Sequence, residues 1–390
     1  MFTRFRWLAL SILVLIGGCA TAPTPPVIPP PPVSPVTPPI PAPPPGAVLK
    51  PADWAQLPGW GENDALAAWP AFLASCGPLK KQALWTAVCE AASKQTPQDD
   101  AAARAFFERW LLPHQLSTTD GTDTGLVTGY YEPLLFGSRT PTSRYRFPLY
   151  AVPDDMLIID LASLYPDLKN YRLRGRVVGN RVLPYYNRAE IEAGRAPLTG
   201  KELLWVDDVV DLFFLQIQGS GRVQLESGEV VRMGYADQNG HPYISIGKKL
   251  VEMGELSVDQ ASMQGIKQWG IRNPEKLPTL LNNNASYVFF RELPPSPNGP
   301  PGALGVPLTG GRSLAVDPRA VTLGSPVYLA TTFPNSAQPL NRLMLAQDTG
   351  GAIKGVVRAD FFWGFGEAAG KQAGAMRQQG KMWVLLPKAP

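Results

Sequence analysis

The chain has 390 residues, a formal net charge of +4, 42 prolines, three cysteines and two histidines. Such a balance, with no Lys/Arg-rich block, excludes a nucleic-acid-binding class. Two histidines, His114 and His241, neither beside a cysteine pair or carboxylate cluster, leave metal sites and His-based nucleophilic systems poorly supplied, so no metal and no cofactor is expected.

The N-terminus reads as an export signal over residues 1–18. Arg4 and Arg6 supply its positive region, and Trp7 to Ile16 form an apolar run too short to span a bilayer, which takes roughly 20 residues. The run ends in Ile-Gly-Gly-Cys, which resembles the lipobox of bacterial lipoproteins and marks Cys19 for acylation. Ala20 follows in place of a retaining Asp, so the expected location is the periplasmic face of the outer membrane, by a lipid anchor. Residues 19–48 then form an acylated cysteine and a stalk, with 14 prolines between Pro23 and Pro45. Such a tract builds no core and extends as polyproline II, about 3.1 Å per residue. With Cys19 acylated, Cys76 and Cys89 remain in an oxidising compartment, either as a disulfide across a helix break near Gly77-Pro78 or as two buried thiols.

Trp54 to Pro113 carries a helical pattern with Trp69, Trp85 and Trp110 as core anchors. Thr124 to Pro133 reads as a strand entering a turn, and Pro148 to Tyr186 as small strands. The stretch from Trp205 starts as a helix, and Arg222 to Tyr235 reads as a hairpin turning at Ser227-Gly228. Leu256 to Asn282 is helical. Beyond Asn284 the runs SYVFFREL, RSLAVDP, SPVYLATTF, NRLMLAQD, KGVVRADFFW and KMWVLLP are short, apolar and bounded by Gly, Pro or Asn, as in a barrel. One helix, Glu367 to Gln379, interrupts them.

Carboxylates are the remaining source of chemistry. Asp-Thr-Gly occurs at Asp123 and at Asp348, but only the second follows an apolar strand, which disfavours an aspartic-protease pair. Asp360 heads the aromatic run Phe361-Phe362-Trp363. An apolar surround disfavours the ionised form, and a nearby Asp348 would disfavour it further, giving a carboxylic acid fit for protonating a glycosidic oxygen.

Leu126–Pro133 (LVTGYYEP), Val210–Arg222 (VDLFFLQIQGSGR), Gly234–Lys248 (GYADQNGHPYISIGK) and Pro307–Pro318 (PLTGGRSLAVDP) together resemble the membrane-bound lytic murein transglycosylase A family. The C-terminal part is similar to the three-aspartate domain, its aspartates being Asp317, Asp348 and Asp360. The resemblance implies a mainly β fold with helical additions. A double-psi β-barrel domain (49–133 plus 285–390, with the N-terminal helices) would carry an inserted smaller β-domain (134–284), with glycan in the groove between them. It implies cleavage of the β-1,4 bond between N-acetylmuramic acid and N-acetylglucosamine, leaving 1,6-anhydromuramoyl ends. Asp360 would be the catalytic acid and Asp348 its neighbour. Thr128, Tyr130, Gln216, Gln218, Gly219, Ser220 and Asp317 would bind substrate, the motifs TGYYEP and QIQGSGR facing each other across the groove. Where several relatives carry His-Phe-Asp this chain has Arg358-Ala359-Asp360, so a role of that His does not carry over. The expected partners are peptidoglycan strands and the membrane, with cell-wall synthesis or division proteins as further candidates. A murein hydrolase using water, and a non-catalytic expansin-like wall-binding lipoprotein, are the alternatives.

Overall fold

A computed structural model describes residues 46–388 apart from Asn63 and Asp259. The signal segment, Cys19 and the proline tract lie outside the described residues. Strand β1 (Ala47–Pro51) pairs antiparallel with β2 (Leu111–Thr118), so regular structure starts inside the end of the stretch assigned to the stalk. Between them run helices α1 (Trp69–Leu79), α2 (Ala83–Ser93) and α3 (Asp100–Trp110). Pro78 sits in the last turn of α1; the chain reverses after it, and Cys76 and Cys89 join α1 to α2 as a disulfide with Cα atoms 5.3 Å apart. Trp69, Phe72, Phe106 and Phe107 stack edge to face in this helical layer.

Strand β3 (Gly125–Glu132) leads through Pro133 into the smaller part of the molecule. That part holds β4 (Leu134–Ser138), β5 (Phe147–Tyr150), β6 (Leu157–Ile158), β7 (Arg174–Val178), β8 (Arg181–Pro184), α4 (Arg188–Glu192), β9 (Glu202–Val206) and α5 (Val209–Gln218). It continues with β10 (Ser220–Leu225), β11 (Val230–Gln238), α6 (Ile246–Glu252), α7 (Met263–Arg272), α8 (Leu277–Asn282) and β12 (Val288–Leu293). Six of these strands form one sheet in the order β12-β11-β10-β4-β9-β5, and β6-β7-β8 form another. Asp208 caps α5 through the amides of Val210 and Asp211. The β10–β11 hairpin turns at Gly228, whose φ of +87° suits glycine. A domain boundary at 284 would place β12 in the barrel. It pairs with β11 instead, so the smaller sheet runs on to Leu293, where its apolar Val288 and Phe290 join the core of Leu204, Leu215 and Met233.

The chain then returns with β13 (Ser313–Val316), β14 (Pro326–Thr332), β15 (Pro339–Asp348), β16 (Ala359–Phe365), α9 (Gly366–Ala375) and β17 (Arg377–Pro387). These strands run β17-β14-β15-β13-β16-β3, and β17 pairs again with β3, closing a six-stranded barrel. Closure also explains why α9 stops at Ala375 and not at Gln379: Arg377 to Gly380 are needed as the partners of Thr128 to Gly125. Alternate residues point inward, filling the interior with Val127, Leu314, Val316, Met344, Phe361 and Val384. The helical layer covers one outer flank, against Tyr328, Leu343, Leu345 and Trp383. The fold is mainly β with helical additions, as expected.

Candidate active site

Register places the chemistry. Ala315 of β13 pairs with Asp348 of β15 on one side and with Asp360 of β16 on the other. Asp360 in turn pairs with Thr128 of β3, and Thr128 with Arg377 of β17. Directly paired residues share a face, so these five stand in one row on the outside of the barrel wall. Two strand spacings separate the aspartates, about 10 Å between backbones. The small side chain of Ala315 lies between them and joins Tyr130, Leu308, Ile353 and Phe362 in a buried apolar cluster.

Asp360 is half-buried. Its Oδ1 accepts a 2.6 Å hydrogen bond from Thr128 Oγ1. Burial pushes its pKa up to about 6, against the opposing pull of Thr128 and of the Arg358 charge; Asp348 adds a smaller upward push. The apolar surround differs in one respect from the expectation. Phe361 alternates into the barrel interior, stacking with Trp363 at 4.6 Å between ring centroids, while Phe362 lies on the acid's side against Tyr130, 5.0 Å away.

Asp348 is also pushed up, first by burial, but both of its oxygens are engaged. Tyr130 donates its hydroxyl to Oδ2 at 3.1 Å, and the Ala303 amide donates to Oδ1 at 2.9 Å. Tyr130 is held far above its ordinary pKa by burial and the two aspartates, so it remains a donor. Asp123, of the first Asp-Thr-Gly, is tied to Lys381 and Gln115 and stands outside the row, which leaves no paired carboxylates of the protease kind.

The remaining expected binding residues divide. Thr128 and Tyr130 reach the carboxylates. Asp317 does not: it is 1 % exposed, chelated by Arg319 and held by the amides of Arg319 and Gly355. Burial opposes its ionised form, but these donors hold its pKa below the usual carboxylate value. Both of its oxygens are engaged within the protein. Gln216 is likewise buried, accepting from Arg188. Gly219 is the left-handed cap of α5, with φ +77°. Ser220 opens β10 and is half-buried. Gln218 accepts from the Tyr131 amide at 3.2 Å.

That last contact corrects the picture of two motifs facing across a groove. TGYYEP and QIQGSGR are stitched together at the junction of the two sheets. Glu132, 1 % exposed, takes a two-pronged hydrogen bond from Arg222, at 3.0 and 2.9 Å, and the Arg222 guanidinium lies 3.9 Å from the centre of the Phe365 ring. Sequence reasoning includes both residues in their motifs and assigns neither a task; a Glu and an Arg closing two motifs are the available signal. Among the described residues no cluster of His, Cys, Asp and Glu could hold a metal. A surface cavity of about 600 Å³ at Leu84, Trp110 and Pro387 lies at the helical layer and gathers no carboxylate.

Residues 126–291 match the MltA specific insert domain, and residues 312–386 match the 3D domain. The chain is 34 % identical over 279 residues to the membrane-bound lytic murein transglycosylase A of Escherichia coli K12, covering 70 % of this chain and 68 % of that protein. The chain belongs to the membrane-bound lytic murein transglycosylase A family. The family's solved structures agree with this. MltA from Neisseria gonorrhoeae superposes with a TM-score of 0.77 at 42 % identity, over 88 % of this chain and 94 % of that one. A membrane-bound lytic murein transglycosylase from Agrobacterium tumefaciens gives 0.77 at 34 % identity, over 87 % and 97 %. E. coli MltA with bound chitohexaose gives 0.61 at 27 % identity, over 89 % and 93 %.

Proposed function

We propose that Asp360 is the single general acid and base of a peptidoglycan lytic transglycosylase, the activity that membership of the lytic murein transglycosylase A family brings to this chain. The observation that carries the assignment is the contrast between the two aspartates. Both are shifted toward the protonated form, but Asp348 has both oxygens engaged, whereas Asp360 has only Oδ1 bonded among the described residues. An acid with one oxygen open and a pKa of about 6 is poised for proton transfer near neutrality. Asp360 protonates the oxygen between N-acetylmuramic acid and N-acetylglucosamine as the C1–O bond breaks. The resulting carboxylate accepts the proton of the muramoyl C6 hydroxyl as that oxygen closes on C1. The nucleophile belongs to the substrate, so no second catalytic carboxylate is required, unlike the usual two-carboxylate glycosidases. Asp348, held by Tyr130, tunes Asp360 and shapes the site.

The glycan lies along the outer face that carries the row, between the barrel and the inserted part, which runs on to Leu293. A relative crystallised with chitohexaose supports a path long enough for several sugars. Among the described residues no helix is long and apolar enough to cross a membrane. Acylation of Cys19 provides the membrane attachment that the relatives' name implies, at the outer membrane, and the proline tract spaces the enzyme from it. Digestion of purified sacculi followed by mass spectrometry tests the reaction. Anhydromuramoyl products are expected, and products one water heavier would show hydrolysis instead. Asp360→Asn should lower turnover by about 10²–10⁴-fold. An Asp360→Asn enzyme near wild type would refute the assignment. Cys19→Ala should release active protein from the membrane fraction.

A further inference from the structure

Thr128 does not meet Asp360 alone. The Nη2 of Arg358 donates to Thr128 Oγ1 at 2.8 Å, and Thr128 donates onward to Asp360 Oδ1 at 2.6 Å. The guanidinium is itself fixed by two backbone carbonyls, Leu126 on β3 at 3.4 Å and Ala359, the next residue along the chain. Arginine has five donors and no acceptor, and a threonine hydroxyl has one hydrogen. With Arg358 on its oxygen, Thr128 has its single hydrogen left for Asp360, and the direction of the chain of bonds is set.

We propose that Arg358 is a positioning residue that acts through Thr128 to fix which oxygen of Asp360 exchanges the catalytic proton. This rests on the reading of Asp360 as the acid. A hydrogen already directed at Oδ1 disfavours a second one there, so the acid proton sits on Oδ2. Proton donation to the leaving oxygen and proton acceptance from the C6 hydroxyl both use Oδ2, and the enzyme ends the cycle with the proton it began with. A donor that never titrates keeps this direction at every working pH, and the same bond stabilises the carboxylate formed between the two half-steps.

The charged and titratable groups around Asp360 are Arg358 just before β16, Tyr130 on β3, Asp348 at the end of β15 and Arg377 on β17; of β13, Ala315 is the residue paired with it. Arg358 and Thr128 both hold the Asp360 pKa down. The acid form starts the reaction, so kcat/KM falls as pH rises through that pKa.

The test is the pH profile of kcat/KM on soluble murein fragments. Arg358→Gln should move the basic limb up by about one pH unit, as should Thr128→Val. The double variant should move it by less than the sum of the two single displacements, since the part of the Arg358 effect that Thr128 carries is already gone, leaving only the direct pull of the charge. Arg358→Lys, which keeps the cation, should leave the limb nearer the wild-type position than Gln does. A limb unmoved in Arg358→Gln, or displacements that add fully in the double variant, would overturn the relay. Asp360→Asn separates the two ideas: activity retained there sinks the acid itself, whereas an inactive Asp360→Asn with an unmoved Arg358→Gln limb sinks only the relay.

Discussion

Replacing Asp360 with Asn should make the protein inactive and, at neutral pH, more stable. The carboxyl has an unfolded-state pKa near 3.8 and a folded-state pKa of about 6. Between these values the native state binds more protons than the unfolded state, so stability falls as pH rises through this window. A tenfold change in proton affinity corresponds to about 1.36 kcal/mol, so forcing the carboxylate into this half-buried row costs about 3 kcal/mol at pH 7. Asparagine fills the same volume, still accepts from Thr128, and carries no charge to desolvate. With unfolding entropies of about 2.1 cal/mol/K per residue, the gain amounts to a Tm rise of about 4 °C for a chain of this length. At pH 4 the native carboxyl is protonated and the unfolded one is only partly ionised, so the gain should shrink to under about 1 kcal/mol. Calorimetric unfolding of both forms at the two pH values makes the comparison. An Asn variant that is no more stable than wild type at pH 7, or one whose advantage is the same at pH 4, would show that the surroundings do not raise the Asp360 pKa.

Further outcomes follow from neighbouring groups. Asp348→Asn should retain more activity than Asp360→Asn; because Asp348 raises the Asp360 pKa, its removal should move the basic limb of kcat/KM to lower pH. Arg222→Met strands the buried Glu132 charge, and should lower stability by about 3–5 kcal/mol in urea unfolding while leaving the Cys76–Cys89 bond intact. Cys76→Ser opens a loop of 13-residue separation and should cost about 3 kcal/mol of stability in a thermal melt without reductant; no change would mean the bridge constrains little. Gly129→Ala places a Cβ 2.7 Å from Trp363 Nε1 and 2.8 Å from Ala373 Cα, and should reduce soluble yield and lower Tm.

Much of this protein was legible from local pattern. The short apolar runs after Asn284 are strands because Val, Leu and Phe at period two, bounded by Gly, Pro and Asn, have few other stable states. The hairpin at Gly228 was likewise within reach of spacing, whereas spacing left Cys76 and Cys89 open between a disulfide and two buried thiols, and the structure joins them. What spacing does not carry is register. That Asp348, Ala315, Asp360 and Thr128 form one row depends on a bulge between Leu314 and Ala315 and on a parallel pairing between strands more than 200 positions apart in sequence. A slip of one residue would turn each side chain to the opposite face of the wall. Tertiary contacts also decide the ion pair of Glu132 with Arg222 and the fate of Gln216, a polar residue that looked suited to sugars and is taken by the buried Arg188. Asp317 is taken nearer at hand, by Arg319 two residues on and by the Gly355 amide. Composition identifies the residue types able to do acid chemistry. Only barrel closure, which decides who is adjacent and who is desolvated, sets which carboxyl keeps a free oxygen and a raised pKa.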